Sequence, residues 1–211
     1  MKIEDLEKEI LELKKRITIM EDIEEIKKVQ YKYFYFVDNS MWDDLIDLFS
    51  DNCSLELLDS GVYIGKEGVA RQFKGRLGPK KQKIGRGYMG KITACDAIVD
   101  IMPDGKTATA GFDNLTFIAY PQLDRSEWGN GRYEVDYVKE DGKWKICKLH
   151  YQSRFRTPFN SKGWHEVPEI GTLKDTEFPP DEPTTIFAPY PDMYPSHRFP
   201  RPFEGAIKRK K

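Results

Sequence analysis

Tyr137-Val138-Lys139-Glu140-Asp141-Gly142-Lys143-Trp144-Lys145-Ile146 decides the fold class of this chain. Apolar residues approach and leave a charged turn that ends in glycine, the signature of two antiparallel strands joined by a short connection. The flanking runs, Gly131 to Val138 and Lys143 to Phe155, are long enough to be full strands of a sheet. Upstream, Ile92 to Met102 and Lys106 to Ile118 have the same character and are separated by Pro103-Asp104-Gly105, with a loop near Pro121 before the next strand. Four long strands in succession predict an antiparallel meander.

Nearer the N-terminus the pattern begins with the same alternation and then becomes helical. Cys53-Ser54-Leu55-Glu56-Leu57 reads as a strand, Asp59-Ser60-Gly61 as a tight turn and Val62-Tyr63-Ile64 as a short return strand. Gly65-Lys66-Glu67-Gly68 opens a helix through Phe73 and lacks the glycine spacing and terminal Lys-Ser/Thr of a phosphate loop. Residues 22 to 38 read as a helix, with Ile23, Ile26, Val29 and Tyr33 on one face. A second helix is expected from Met41 to Phe49, capped by Ser40 with Asp43 completing an approximate capping box. Helices followed by a meander make an α+β domain in which a curved antiparallel sheet folds over helices.

Ile3, Leu6, Ile10, Leu13, Ile17 and Met20 alternate at three and four residues, with charged residues filling most of the other positions. Isoleucine at every a position and leucine or methionine at every d position favours two parallel strands of coiled coil, and the same pattern also suits an amphipathic helix lying on its own domain. Glu21-Asp22 reads as a restart between this helix and the next. Three regions are therefore expected: a helix over 1–20, an α+β domain over 21–158 and an extended arm over 159–211. Ten of the thirteen prolines lie beyond Arg156, interleaved with Trp164, Phe178, Phe187, Tyr190 and other aromatics. A purely disordered tail is poor in aromatic residues, so the arm is expected to lie on a surface.

The balance of 34 Lys+Arg against 35 Asp+Glu leaves a formal net charge of -1, so no nucleic-acid partner and no acidic membrane is expected. The basic run Lys208-Arg209-Lys210-Lys211 reads as a solvated tail. Cys53, Cys95 and Cys147 are odd in number, show no CxxC spacing and read as reduced residues of a cytoplasmic protein. No run approaches the ~18 apolar residues of a membrane span. His150, His165 and His197 form no spaced ligand cluster, and no dinucleotide fingerprint or nucleophile elbow is present, so neither a metal nor a cofactor is expected.

Asp38 stands out chemically. It lies in Tyr31-Lys32-Tyr33-Phe34-Tyr35-Phe36-Val37-Asp38-Asn39-Ser40-Met41-Trp42, with Phe34, Tyr35 and Trp42 at helical spacing around it. A carboxylate among rings loses hydration, and the C-terminal end of a helix disfavours an anion; both effects raise its pKa toward the range useful for proton transfer. The alternative is that Asp38 marks a helix end and nothing more. On the last strand, strict alternation puts His150 in phase with Trp144 and Ile146, facing the helices as a partner for Asp38, unless a bulge between Ile146 and Arg154 reverses the phase. The same logic aims Phe112, Asn114 and Thr116 inward on the middle strand and Tyr133 and Val135 on the next. Trp42, Phe112, Asn114, Thr116, Tyr133 and Arg154 are therefore candidate substrate contacts.

The order of elements, Glu21-Asp22-Ile23 with Tyr33, Asp38, Trp42-Asp43 and Leu48-Phe49, and the 137–146 hairpin resemble the SnoaL-like branch of the nuclear transport factor 2-like superfamily over residues 15 to 158. That resemblance implies a cone of helices packed in a bent sheet around an apolar cavity. It also implies a choice among functions, because the superfamily holds dehydratases, a dehydrochlorinase, isomerases, cyclases and non-catalytic binding subunits. The first helix is most similar to that of bile acid 7α-dehydratase, and Asp38 also matches an aspartate of scytalone dehydratase. By that match Tyr33 and Asp38 fall on a catalytic tyrosine and aspartate. Where those dehydratases carry a histidine, this chain has Tyr88 in Gly87-Tyr88-Met89-Gly90, a proton donor rather than a base at neutral pH. The resemblance implies a cofactor-independent lyase of dehydratase type acting on a hydrophobic, cyclic, oxygenated small molecule. An isomerase or cyclase, or a binding subunit like that of a ring-hydroxylating dioxygenase, remains the alternative. It also implies a homo-oligomer, a trimer by the related dehydratases against the dimer suggested by the heptads.

Overall fold

The computed structural model describes residues 3–78, 88–121, 124–161 and 177–185. Most of the arm, His165, His197 and the basic run 208–211 lie outside the described residues.

One helix, α1 (Ile3–Asp38), replaces the two expected on either side of Glu21-Asp22. The acidic pair is an anchor rather than a break. Asp22 is 4% exposed and accepts hydrogen bonds from the Trp144 indole N–H at 2.9 Å and from Lys139 Nζ at 2.5 Å. One and two turns on, Ile26 and Gln30 are fully buried, and Gln30 Oε1 accepts from the Tyr137 hydroxyl at 2.7 Å. A helical face of Asp22, Ile26, Gln30 and Tyr33 is thus fastened along the 137–146 hairpin by polar groups that burial would otherwise penalise.

Ser40 does not cap the next helix; it terminates α1. Its φ is +57°, with Ser40 N–H bonding to Val37 O at 3.3 Å and Met41 N–H to Phe36 O at 2.9 Å. This is the double hydrogen bond of a Schellman ending, with serine at the position that usually holds glycine. The short α2 (Trp42–Ile46) follows with no side-chain cap.

Among the described residues the sheet has six strands: β1 (Phe49–Leu57), β2 (Val62–Ile64), β3 (Met89–Ile101), β4 (Thr107–Tyr120), β5 (Arg125–Glu140) and β6 (Lys143–Pro158), in the order β2-β1-β6-β5-β4-β3. β3 to β6 form the expected antiparallel meander, whereas β1 runs parallel to β6, the one departure from an antiparallel sheet. Between β2 and β3, α3 (Gly65–Ala70) continues into a π-helical turn over Arg71–Leu77.

Three strand irregularities determine which side chains face α1. Cys95 is skipped between the pairs Ala94↔Asn114 and Asp96↔Asp113. On β6, Cys147 is skipped between Ile146↔Tyr137 and Lys148↔Asp136, and Arg154 between Ser153↔Gly131 and Phe155↔Asn130. Each extra residue bends its strand and reverses the alternation beyond it. The inner face so produced carries Leu55, Phe112, Tyr133, Val135, Tyr137, Trp144, Ile146 and Leu149, all buried with Ile26, Tyr33 and Phe34 of α1. Full burial of each large apolar side chain is worth about 2 kcal/mol, so this layer is the main stabilising contact of helix on sheet.

Of the arm, residues 177–185 cross the β2 edge. Val62 N–H bonds to Glu182 O at 3.0 Å, Asp181 pairs with Arg71, and Thr184 and Thr185 donate to the buried Glu56 carboxylate.

Candidate active site

Where the inner face widens beyond the helix–sheet contact, it encloses an apolar cavity of about 240 Å³. The floor is aromatic. Tyr33 from α1 meets Tyr133 edge-on at 5.9 Å, and Tyr133 stacks on Tyr151 at 4.3 Å. Tyr151 leans across Gly131, where an added Cβ would come within 2.5 Å of its ring, so only glycine leaves room for it. The roof comes from the π-helical turn, whose wider winding directs Gln72, Phe73, Arg76 and Leu77 into the cavity. Such turns recur at functional sites because they reposition side chains that an α-helix would spread around its circumference.

One end of the cavity is polar. Glu127 of β5 and Arg156 of β6 both line it, joined from Arg156 Nε to Glu127 Oε2 at 2.7 Å. The Glu127 side chain is 2% exposed and is also paired with Arg125. Arg156 Nη2 donates to the Tyr120 hydroxyl at 3.1 Å, and Tyr120 lies 5.8 Å from the ring of Tyr88. Burial pushes the Tyr88 phenol up to about 12, with Tyr120 and Asp38 adding to the effect. Burial also raises Tyr33, with a smaller contribution from Tyr151, and raises Tyr133 well above its ordinary value. The same burial raises Tyr151 despite opposing contacts from Asn114, Arg156, Thr116 and Ser153. All four tyrosines therefore stay protonated at neutral pH, able to donate a hydrogen bond or a proton but not to act as bases.

Asp38 is not enclosed by rings, as its sequence neighbourhood suggests. Its side chain is 8% exposed and held by polar donors: Ile92 N–H reaches Oδ1 at 3.0 Å and Lys91 Nζ reaches Oδ2 at 2.8 Å. Asp38 thus ties the end of α1 to β3, beside Ile92, which does line the cavity. Tyr33, Tyr133 and Thr116 line the cavity directly. Asp38 and Tyr88 stand at its margin, close enough for the Asp38 charge to act on both Tyr88 and Tyr133.

Other candidates lie elsewhere. Trp42 stacks on Phe73 at 5.7 Å, behind the roof. Phe112 is fully buried in the core against Phe34. Asn114 faces inward as expected, is fully buried and donates to Thr116 Oγ1 at 2.7 Å. His150, expected to face Asp38, lies on the opposite face of the sheet, because the skipped Cys147 reverses the phase after Ile146. There its Nε2 is 3.7 Å from Glu56, and burial lowers its pKa against the pull of that carboxylate. Arg154 is the second skipped residue and pairs with Asp113 at 2.6 Å on the outer face. Arg156 faces the cavity instead. The sequence reading missed Tyr151, Glu127 and Arg156: unbroken alternation along β6 turns Tyr151 outward, whereas Glu127 keeps the phase of Tyr133 on β5 and Arg156 that of Ile146 on β6, each just beyond the strand end expected from the sequence.

The described residues contain no cluster of histidine, cysteine and carboxylate groups able to hold a metal ion, and no helix among them is long and apolar enough to cross a membrane.

Residues 18–150 match the SnoaL-like domain. The chain belongs to the SnoaL-like family. The fold is shared with solved structures of low identity. A candidate scytalone dehydratase from Novosphingobium aromaticivorans is 18% identical, covers 75% of this chain and 99% of its own, and superposes with a TM-score of 0.59. A type 3 hexachlorocyclohexane dehydrochlorinase from Novosphingobium barchaimii is 19% identical, with 72% and 99% covered and a TM-score of 0.60. A type 2 dehydrochlorinase gives 18%, 69% and 94%, also at 0.60. These likenesses show that the helix-and-sheet fold is shared with those structures.

Proposed function

We propose that this SnoaL-like protein is a cofactor-independent lyase that eliminates water from a hydrophobic, cyclic, oxygenated small molecule. The observation that carries the reading is the cavity itself: an aromatic, largely apolar hollow with an ion pair of Glu127 and Arg156 at one end. Such a shape favours a ligand with a ring at one end and oxygen functions at the other. Its volume, about 240 Å³, is at the small end of ligand sites and suits one or two rings better than four.

In this reading a carboxylate removes the proton alpha to a carbonyl, the electron pair forms the new carbon–carbon double bond, and the beta hydroxyl leaves as water after taking a proton from a phenol. Tyr33, Tyr133 and Tyr151 are phenols on the cavity wall and stay protonated at neutral pH. Asp38 is the proposed base, with Tyr88 as a second donor. The match of Asp38 to the dehydratase aspartate supports the assignment, as does its position beside Ile92. Arg156 polarises the carbonyl oxygen, and Glu127 holds Arg156 in place. The enzymes named among the similar structures, a dehydrochlorinase and a candidate dehydratase, carry out eliminations by their names, which agrees with this chemistry.

A second reading, a binding protein without catalysis, is favoured by one observation: both Asp38 oxygens are already engaged by Lys91 and Ile92. One experiment separates the two. Purified protein is incubated with a panel of one- and two-ring beta-hydroxy ketones, and products are followed by mass. Loss of the mass of water, abolished in Asp38→Asn, supports the lyase. Unchanged product mass with altered connectivity indicates an isomerase or cyclase, binding without turnover supports the second reading, and full turnover by Asp38→Asn removes Asp38 from the mechanism.

A further inference from the structure

The first five turns of α1 carry an apolar seam that the chain's own domain leaves open. Ile3, Leu6, Ile10, Leu13, Ile17 and Met20 are each between 38% and 75% exposed. The direction of the seam explains why. Ile17 and the fully buried Ile26 are nine residues apart, two and a half turns at about 3.6 residues per turn, so they point to opposite sides of the helix. The sheet packs against the Ile26 side, and the seam faces away from it. On the seam side, five turns beyond Ile17, lies Tyr35, 56% exposed.

We propose that this seam pairs with the same seam of a second copy of the chain, in a parallel two-stranded coiled coil that joins two cavity-bearing domains. Two features of the residues select this occupant. Isoleucine at each a position and leucine or methionine at each d position is the combination that favours two parallel helices over three or four. The flanking charges are complementary to themselves. In parallel register Glu9, at a g position, meets Lys14 of the second copy at an e position, and Arg16 meets Glu21 of the second copy. Both cross-pairs are attractive and both occur twice in a symmetric dimer. Nothing in the seam supports the domain core, because every residue in it is exposed, so its apolar character is explained by association.

The test uses the full chain. Sedimentation velocity over a hundredfold range of concentration is expected to give a mass of two chains for the parent and of one chain for Ile10→Glu with Leu13→Glu. The double variant should keep the helical signal of the domain and its cooperative unfolding, since neither position packs on the domain core. Orientation is read in a Cys95→Ser background. Ile10→Cys alone is expected to form a disulfide-linked dimer, as a-to-a contact in a parallel pair requires. Cross-linking only when Ile10→Cys is mixed with Leu13→Cys would indicate an antiparallel pair and overturn the proposal. A monomeric parent, a species of three chains, or a dimer that survives the double substitution would overturn it as well.

Discussion

Arg156 Nε donates to Glu127 Oε2 at 2.7 Å inside an otherwise apolar cavity. The pair gives a ligand a charged contact at one end of a largely apolar wall. Removing one member of a buried ion pair strands the other, at a cost of about 3 kcal/mol. Arg125, also paired with Glu127 but half exposed, offsets part of that loss. Arg156→Met is therefore expected to lower unfolding stability by about 2 kcal/mol, read from urea midpoints. If Arg156 polarises the substrate, the same variant loses turnover by about a hundredfold or more.

Gly131 and Tyr151 make a steric prediction with no charge in it. A Cβ at residue 131 would sit 2.5 Å from the Tyr151 ring, which is held on its other side by the stack with Tyr133 at 4.3 Å. The ring cannot swing away without giving up that stack. Gly131→Ala is expected to cost about 1–3 kcal/mol and to change ligand affinity through the displaced Tyr151, while Gly105→Ala, whose Cβ meets nothing within 4 Å, leaves affinity unchanged. Unfolding and ligand titration on the two variants check this.

The same part of β6 shows how far the sequence could be read. Its existence, direction and the inward set on β4 and β5 follow from alternation, because side chains on a regular strand change face at every residue. Phe112, Asn114, Thr116, Tyr133 and Val135 all face as that rule requires. His150 does not, since one unpaired residue at Cys147 reverses the count, and a second at Arg154 leaves Arg154 outside and restores the original phase at Arg156. Cysteine and arginine carry no signal for a bulge as glycine would, so these reversals are properties of pairing with β5 rather than of β6 itself. The environment of Asp38 was hidden for a related reason: its partners, Lys91 and Ile92, come from a strand more than fifty residues away.

Ser40 tests how tightly Asp38 is placed. Its φ of +57° costs a residue with a Cβ about 1 kcal/mol relative to glycine, and Asp38 lies two residues earlier in the same helix ending. Ser40→Gly is expected to raise stability by about 0.5–1 kcal/mol without moving Asp38, and Ser40→Val to lower it by more than that, because a branched Cβ fits the left-handed region poorly. Thermal unfolding of the two variants gives the sign directly.

On the outer face, burial pushes Glu134 up to about 7, with Arg132 opposing and Asp136 reinforcing the shift. A carboxyl whose folded pKa lies above its unfolded value of about 4.5 binds its proton more tightly when folded, so the folded state gains stability below that window and loses it as pH rises from about 4.5 to 7. The neighbouring His150 has the reverse sign: burial lowers its folded pKa, so its contribution is lost as pH falls below its ordinary value of 6.5. The two trends oppose each other in the parent protein, and a simple pH profile would blur them. Glu134→Gln removes one and leaves the other. The variant is expected to match the parent near pH 4.5 and to exceed it by about 2 kcal/mol at pH 8, with most of the difference developing between those values. Urea unfolding at matched ionic strength across that range reads the difference. A constant offset at every pH would mean that Glu134 is charged throughout and that its burial is compensated by Arg132.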